Sequence, residues 1–189
     1  MADRLTIILE TLREATEIQR IINTANEGHL LPDYTLRDEL KTLLVFTSKA
    51  KRIGRLSEPD DLQKAQVSLS EINEYRDRAL FILLSALTCV STLEWLHGMA
   101  RQIVILHPAV SSKTESIKKT ATDQVIVEVS ERLHFWESTV KQAELVVRNC
   151  RDAYFATNAQ CENARTLMGF KVATKDMGAG GVMASDMRG

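Results

Sequence analysis

The chain has 189 residues, enough for one domain with a sizeable core. Its 24 basic and 25 acidic residues leave a net charge of −1, which excludes a polybasic protein whose whole surface tracks phosphate. Three cysteines, Cys89, Cys150 and Cys161, form an odd set inside apolar helical patterns, so a disulfide framework is not expected and a reducing location is.

The N-terminus mixes Asp3, Arg4, Glu10, Arg13 and Glu14 into a short apolar run and lacks the unbroken apolar stretch of a secretion signal. A first helix is predicted over about 4–26, with Asp3 as N-cap and Gly28 as stop. Leu5, Ile8, Leu12, Ala15, Ile18, Ile22 and Ala25 fall on one face of it. A second helix starts near Thr35, where Thr35 and Asp38 imitate a capping box, and closes at Gly54. Its end carries Lys49, Lys51, Arg52 and Arg55 with no acid. These complement the negative end of the helix dipole, with contact to phosphate as the second reading. The following segment, GRLSEPDD, reads as a linker, with Ser57 or Asp60 able to cap the next helix.

The third helix is long. Alternating steps of three and four from Leu62 reach Val104 through apolar positions broken only by Arg76 and His97. Within it, ALFILLSALTCVSTL (79–93) holds no charge. A bilayer needs about twenty apolar residues, and the seam continues on both sides of this run. It is therefore read as a stretch buried all round, with a second layer, the first two helices or another subunit, over Leu80, Leu84 and Leu87, and no membrane is expected.

A fourth helix gives a cleaner seam. The same stepping from Ile126 passes Val129, Leu133, Trp136, Val140, Ala143, Val147, Cys150, Tyr154, Thr157, Cys161 and Ala164 to Met168. Leu133, Trp136, Val140, Val147, Tyr154 and Met168 mark a packing or oligomer seam. HPAVSS joins the two long helices, with Ser112 and Glu115 offering a capping box. A short joint between long helices means an antiparallel hairpin. Its apolar tip, 103–110, suits packing against an earlier helix or docking of a protein partner. The last segment, 169–189, is Gly-rich with Met177, Met183 and Met187, and reads as a flexible tail that a neighbour orders.

The predicted fold is thus all-α: an elongated helical bundle with an N-terminal helical pair (1–56), a coiled-coil-like antiparallel hairpin (57–168) and a tail (169–189). Catalytic chemistry is not expected. His29, His97, His107 and His134 have no partners at zinc-ligand spacing, and no phosphate loop, dinucleotide fingerprint or nucleophile elbow occurs. No metal and no cofactor is expected. Two further basic sets stand on the fourth helix, one with Lys113, Lys118 and Lys119, the other with Lys141, Arg148 and Arg151. Single-stranded nucleic acid also wants aromatic platforms, for which Trp95, Trp136, Tyr154 and Phe155 are the candidates.

The stretch KTESIKKTATDQVIVEVSERLHFWESTVKQAELVVRNCRDAYFATN resembles the C-terminal part of phage recombination mediators of the UvsY type. The shared features are a Lys-rich lead-in, Asp123, the pair Phe135 and Trp136, and a basic-aromatic end around Arg151, Tyr154 and Phe155. They cover about a quarter of the chain. The resemblance implies an all-helical oligomer that binds single-stranded DNA without a catalytic site, with Lys118, Lys119, Arg148 and Arg151 in contact with it. Two function classes follow: a DNA-binding recombination or replication accessory, and a structural or assembly subunit of a virion or other complex. Both expect a homo-oligomer, in the cytoplasm or in a virion.

Overall fold

The computed structural model describes residues 2–50 and 59–185, with side chains described over 5–48, 60–169 and 171–172. The helices are α1 (Ala2–Glu14), α2 (Thr16–Ala25), α3 (Tyr34–Ala50), α4 (Pro59–Leu106), α5 (Pro108–Ser111), α6 (Glu115–Val125) and α7 (Val127–Ser185), with one 3-10 turn at Gly28–Leu30. No strand occurs among the described residues, and α4 and α7 pack against each other, as the all-α reading requires. The chain divides into two compact units, the first joining Met1–Leu40 to Leu80–Glu144 and the second joining Lys41–Ala79 to Leu145–Gly189. Late α4 therefore meets early α7 in the first unit, and early α4 meets late α7 in the second, which is an antiparallel pairing.

The predicted seam of α4 is real. From Leu62 to Val104 no seam position is exposed, and Ala65, Ile72, Ala79, Ala86, Leu93, Ala100 and Val104 are fully buried. Pro59 opens the helix, where its missing N–H costs nothing, and Asp60 and Asp61 match the positive end of the dipole.

Several boundaries differ from expectation. The first predicted helix is two, parted at Ala15, whose backbone is extended (φ −64°, ψ 122°). No Gly or Pro marks this break. It lets α1 and α2 each turn an apolar face inward, so that Leu12 and Ile18 are both completely buried. Gln19 caps the broken end by donating its side-chain amide to the Arg13 carbonyl. α3 starts at Tyr34, capped by Asp33 rather than by Thr35. One Asp33 carboxylate oxygen accepts from the Thr35 N–H at 2.9 Å, the Leu36 N–H at 3.4 Å and the Thr35 hydroxyl at 2.5 Å. An acceptor one residue before the helix reaches these N–H groups; Thr35, already inside the first turn, does not. The expected Gly54 stop and Ser57 cap lie outside the described residues.

Ser112 closes the short α5 instead of opening the fourth helix, and Thr114 precedes α6. His107 caps α5, its Nδ1 accepting from the Ala109 N–H at 3.3 Å. Glu115 pairs with Lys118 at 2.9 Å. Between α6 and α7 the backbone departs from helix at Ile126 alone (φ −101°, ψ 13°). The Ser130 N–H still reaches the Ile126 carbonyl at 3.0 Å, so the rod bends rather than stops. The bend buries both Val125 and Ile126, neighbours that a straight helix sets about 100° apart. At the other end α7 passes Gly169 and continues to Ser185, so the backbone of the segment read as a flexible tail is helical that far. Nothing in it forbids this: glycine lowers helix stability by about 1 kcal/mol per residue, and there is no proline.

The first unit has a core of large side chains, including Leu12, Ile18, Leu30, Leu93, Leu96, Phe135 and Trp136. Long-range contacts fasten the 25–37 stretch, from the end of α2 to the first turn of α3, to it. Trp136 Nε1–H donates to the Leu30 carbonyl at 3.0 Å, and the Cys89 thiol to that of His29 at 3.3 Å. The Arg132 guanidinium donates to the Ala25 carbonyl and to the Asn26 side chain. Tyr34 sets its ring edge-on to Phe135 at 5.1 Å, and Arg37 lies over the same ring at 5.1 Å. The second unit buries mostly smaller groups: Leu43, Ala65, Ile72, Ala79, Val146, Cys150, Ala153, Cys161 and Ala164, with Thr47 and Thr157 among them.

Candidate functional site

The basic residues singled out from sequence fall in three places. Lys49 ends α3 with its side chain outside the described residues, as are Lys51, Arg52 and Arg55 altogether. Lys118 and Lys119 line a cleft of about 380 Å3 in the first unit, together with His97, Arg101, Glu115 and Asp123. Lys118 is mostly buried there, its side chain 19% exposed and held by Glu115. Because carboxylates share the cleft, its positive charge is diluted. Arg148 and Arg151 belong to the second unit and are exposed, with Arg151 Nε 3.6 Å from Asp152. The four residues that the mediator resemblance selects are thus divided between the units. Phe155 is 64% exposed and follows Arg148 and Arg151 at helical spacing, so all three share one face of α7. Tyr154 is half-buried beside it, ring centroids 6.1 Å apart.

On the seam of α7, Trp136 is buried, whereas Leu133, Val140, Val147, Tyr154 and Met168 are half-buried. Cys161 and Ala164 are also buried, so the far end of that seam is covered by the chain itself. The tip is largely packed, with Val104 and Val110 fully buried and Leu106 exposed.

The uncharged run of α4 is buried within the chain on one side. Its inner side is buried, with Ala79, Ile82 and Ala86 fully inaccessible. Its outer side is open: Phe81, Leu84, Leu87, Trp95, Met99 and Leu106 are 57, 65, 43, 62, 36 and 75% exposed. Among the described residues no second layer covers Leu84 and Leu87, so the first two predicted helices do not cover this stretch within the chain. The step of three and four from Leu62 follows only the inner seam. A second count from Phe81 finds another on the opposite side. Trp95 and Met99 also form a wall of a cleft of about 660 Å3 against α2, where Glu17, Arg20, Ile21 and Thr24 stand. By length and composition this helix is apolar enough to cross a membrane, and a third of its most apolar window is buried within the chain.

Chemistry is sparse. No group of three or more metal-ligating side chains occurs among the described residues. The three cysteines are free and buried. Burial pushes the Cys89 thiol up, and raises that of Cys150 to about 11 despite the opposing charge of Arg76. Neither is an activated nucleophile, which needs a thiolate near neutral pH. No family model, curated protein or solved structure matches the chain.

Proposed function

We propose that this protein is a non-catalytic helical subunit that works by self-association within a larger assembly. The observation that carries this reading is the exposed apolar face of α4. Soluble monomers seldom leave more than a few hundred Å2 of contiguous apolar surface open, and larger patches mark places where another surface docks. Sedimentation equilibrium tests it: a mass that is a multiple of 21.2 kDa at micromolar concentration is expected. A strictly monomeric chain would overturn the proposal.

A second reading, a mediator that binds single-stranded DNA, is favoured by Arg148, Arg151 and Phe155 on one exposed face of α7. Two guanidinium groups and an exposed ring are the minimum for neutralising phosphate and stacking a base. Titration of a fluorescent single-stranded oligonucleotide at low and physiological salt tests it. Binding that falls steeply with salt and is lost in an Arg148→Glu, Arg151→Glu variant supports it; no binding at low salt removes it.

A further inference from the structure

The outer face of α4 is a second heptad-like seam. Phe81, Leu84, Thr88, Ser91, Trp95, Met99, Gln102 and Leu106 are spaced by steps of three and four, and all are exposed or half-buried. The steps average close to 3.6 residues, so the eight positions keep to one narrow stripe along a straight helix. None of them is charged. The stripe lies opposite the seam that packs inside the chain, so the helix is built to be sandwiched between two neighbours.

The spacing is also palindromic about Trp95. Leu84 lies eleven residues before it and Leu106 eleven after; Thr88 and Gln102 lie seven to either side, and Ser91 and Met99 four. Turning a second copy about a two-fold axis through Trp95 places each member of these pairs opposite the other. Leu84 then meets Leu106, two apolar groups about 16 Å from the axis. Thr88 faces Gln102, whose polar groups can satisfy one another. Met99 faces Ser91, a long flexible side chain above a small one, which is how facing layers interdigitate. Trp95 meets Trp95. Eight residues off the axis, Leu87 likewise faces Ile103, a half-buried residue beside the stripe. A parallel pairing would instead set Ser91 on Ser91 and stack the two exposed phenyl rings of Phe81, leaving gaps beside bulges.

We propose that two copies of this chain pair antiparallel along α4, with Trp95 on the two-fold axis. This deepens the self-association reading and rests on it. The exposed residues of the stripe offer on the order of 600 Å2 per copy. A standard interface takes about 800 Å2 from each partner, and the α2 wall of the adjoining cleft extends the face toward that figure. The isologous arrangement closes on itself, so the apolar face is covered once and no open-ended chain forms.

Cysteine cross-linking decides the geometry, since Cys89, Cys150 and Cys161 are buried and compete little. Two chains are made, Ser91→Cys and Met99→Cys, each checked for native helicity by circular dichroism. Under mild oxidation the mixture of the two is expected to yield covalent dimer, while each chain alone yields at least tenfold less. Trp95→Ala, at an exposed site that the fold does not need, is expected to weaken association at least tenfold with helicity unchanged. Self-association without cross-linking in the mixture, or efficient cross-linking in each chain alone, overturns the antiparallel register while leaving self-association standing. A monomer in sedimentation overturns both. Flotation of the chain with phosphatidylcholine–phosphatidylglycerol vesicles, with no dimer in their absence, assigns the stripe to lipid and likewise overturns the proposal.

Discussion

In the first unit, Leu12, Ile18, Leu93, Leu96 and Trp136 fill the space between helices, and hydrogen bonds from Trp136, Cys89 and Arg132 hold the turn around Leu30 against them. In the second unit the buried line along α7 is Val146, Cys150, Ala153, Thr157, Cys161 and Ala164, residues small enough for backbones to approach closely. Its two described aromatic pairs, Phe46 on Tyr75 at 5.7 Å and Tyr154 against Phe155 at 6.1 Å, lie toward the surface. Large interlocking groups exclude other registers, because each knob fits one hole. Small groups give a smoother contact, with less apolar area buried per residue and fewer features that fix the register. The first unit is therefore expected to be the more stable of the two, and the second to open first.

The largest expected effect is on thiol reactivity, because the units carry their own reporters. With its thiol raised to about 11, Cys150 has at pH 8 on the order of a hundredth of the thiolate of an ordinary cysteine, before any barrier to access. Labelling of Cys150 in the native protein by a thiol reagent should be slower than in the unfolded chain by at least this factor. With added denaturant, Cys150 should become reactive at a lower concentration than Cys89. The reverse order breaks the comparison.

Trp136→Ala should destabilise the first unit by about 3–5 kcal/mol, the range for removing a buried aromatic. The Leu30 carbonyl also loses its partner. Followed by urea denaturation, the variant should bring Cys89 exposure down to or below the midpoint for Cys150. In the second unit, Ala153→Leu inserts volume where Ala153 is completely buried. It should cost about 1–3 kcal/mol through overpacking and widen the gap between the two thiols. A stabilising Ala153→Leu means that space was left at the small-residue line, and the packing argument then fails.

The helices and the inner seam of α4 were legible because each step of three or four is local and repeats many times. The breaks at Ala15 and Ile126 were not. Neither carries Gly or Pro, and each exists because tertiary burial of Leu12 and Ile18, or of Val125 and Ile126, outweighs the local preference for helix. The Asp33 cap was missed for a different reason: Tyr34 does not look like a first helical residue, so the start was placed one residue late. Exposure of Phe81, Leu84 and Trp95 was illegible in principle. An apolar face reads the same whether the chain or a second molecule covers it. The basic candidates could be found in sequence, but not their division between the units, since helical spacing gives the face of a residue and not its neighbours.

The smallest expected effect is the cap. Asp33 belongs to the first unit, and the Thr35 hydroxyl, with the N–H groups of Thr35 and Leu36 adding to it, holds its carboxyl below the usual range against the opposing effect of burial. A carboxylate whose folded value is depressed contributes stability above its ordinary value, near pH 4, and loses it as the pH falls through the lower folded value. Asp33→Ala should therefore cost about 1 kcal/mol at neutral pH. At a pH low enough to protonate the wild-type cap, the difference between the two proteins should shrink. Asp33→Asn keeps an acceptor without a charge and should retain most of the neutral-pH stability while losing that acid-dependent part. The comparison of units makes the test specific. The cap fastens the entry to α3 beside the Tyr34–Phe135 contact, so its loss should lower the denaturant midpoint for Cys89 and leave that for Cys150 in place. An equal shift at both thiols means that the units unfold together, and the difference in their cores then has no consequence for how the chain opens.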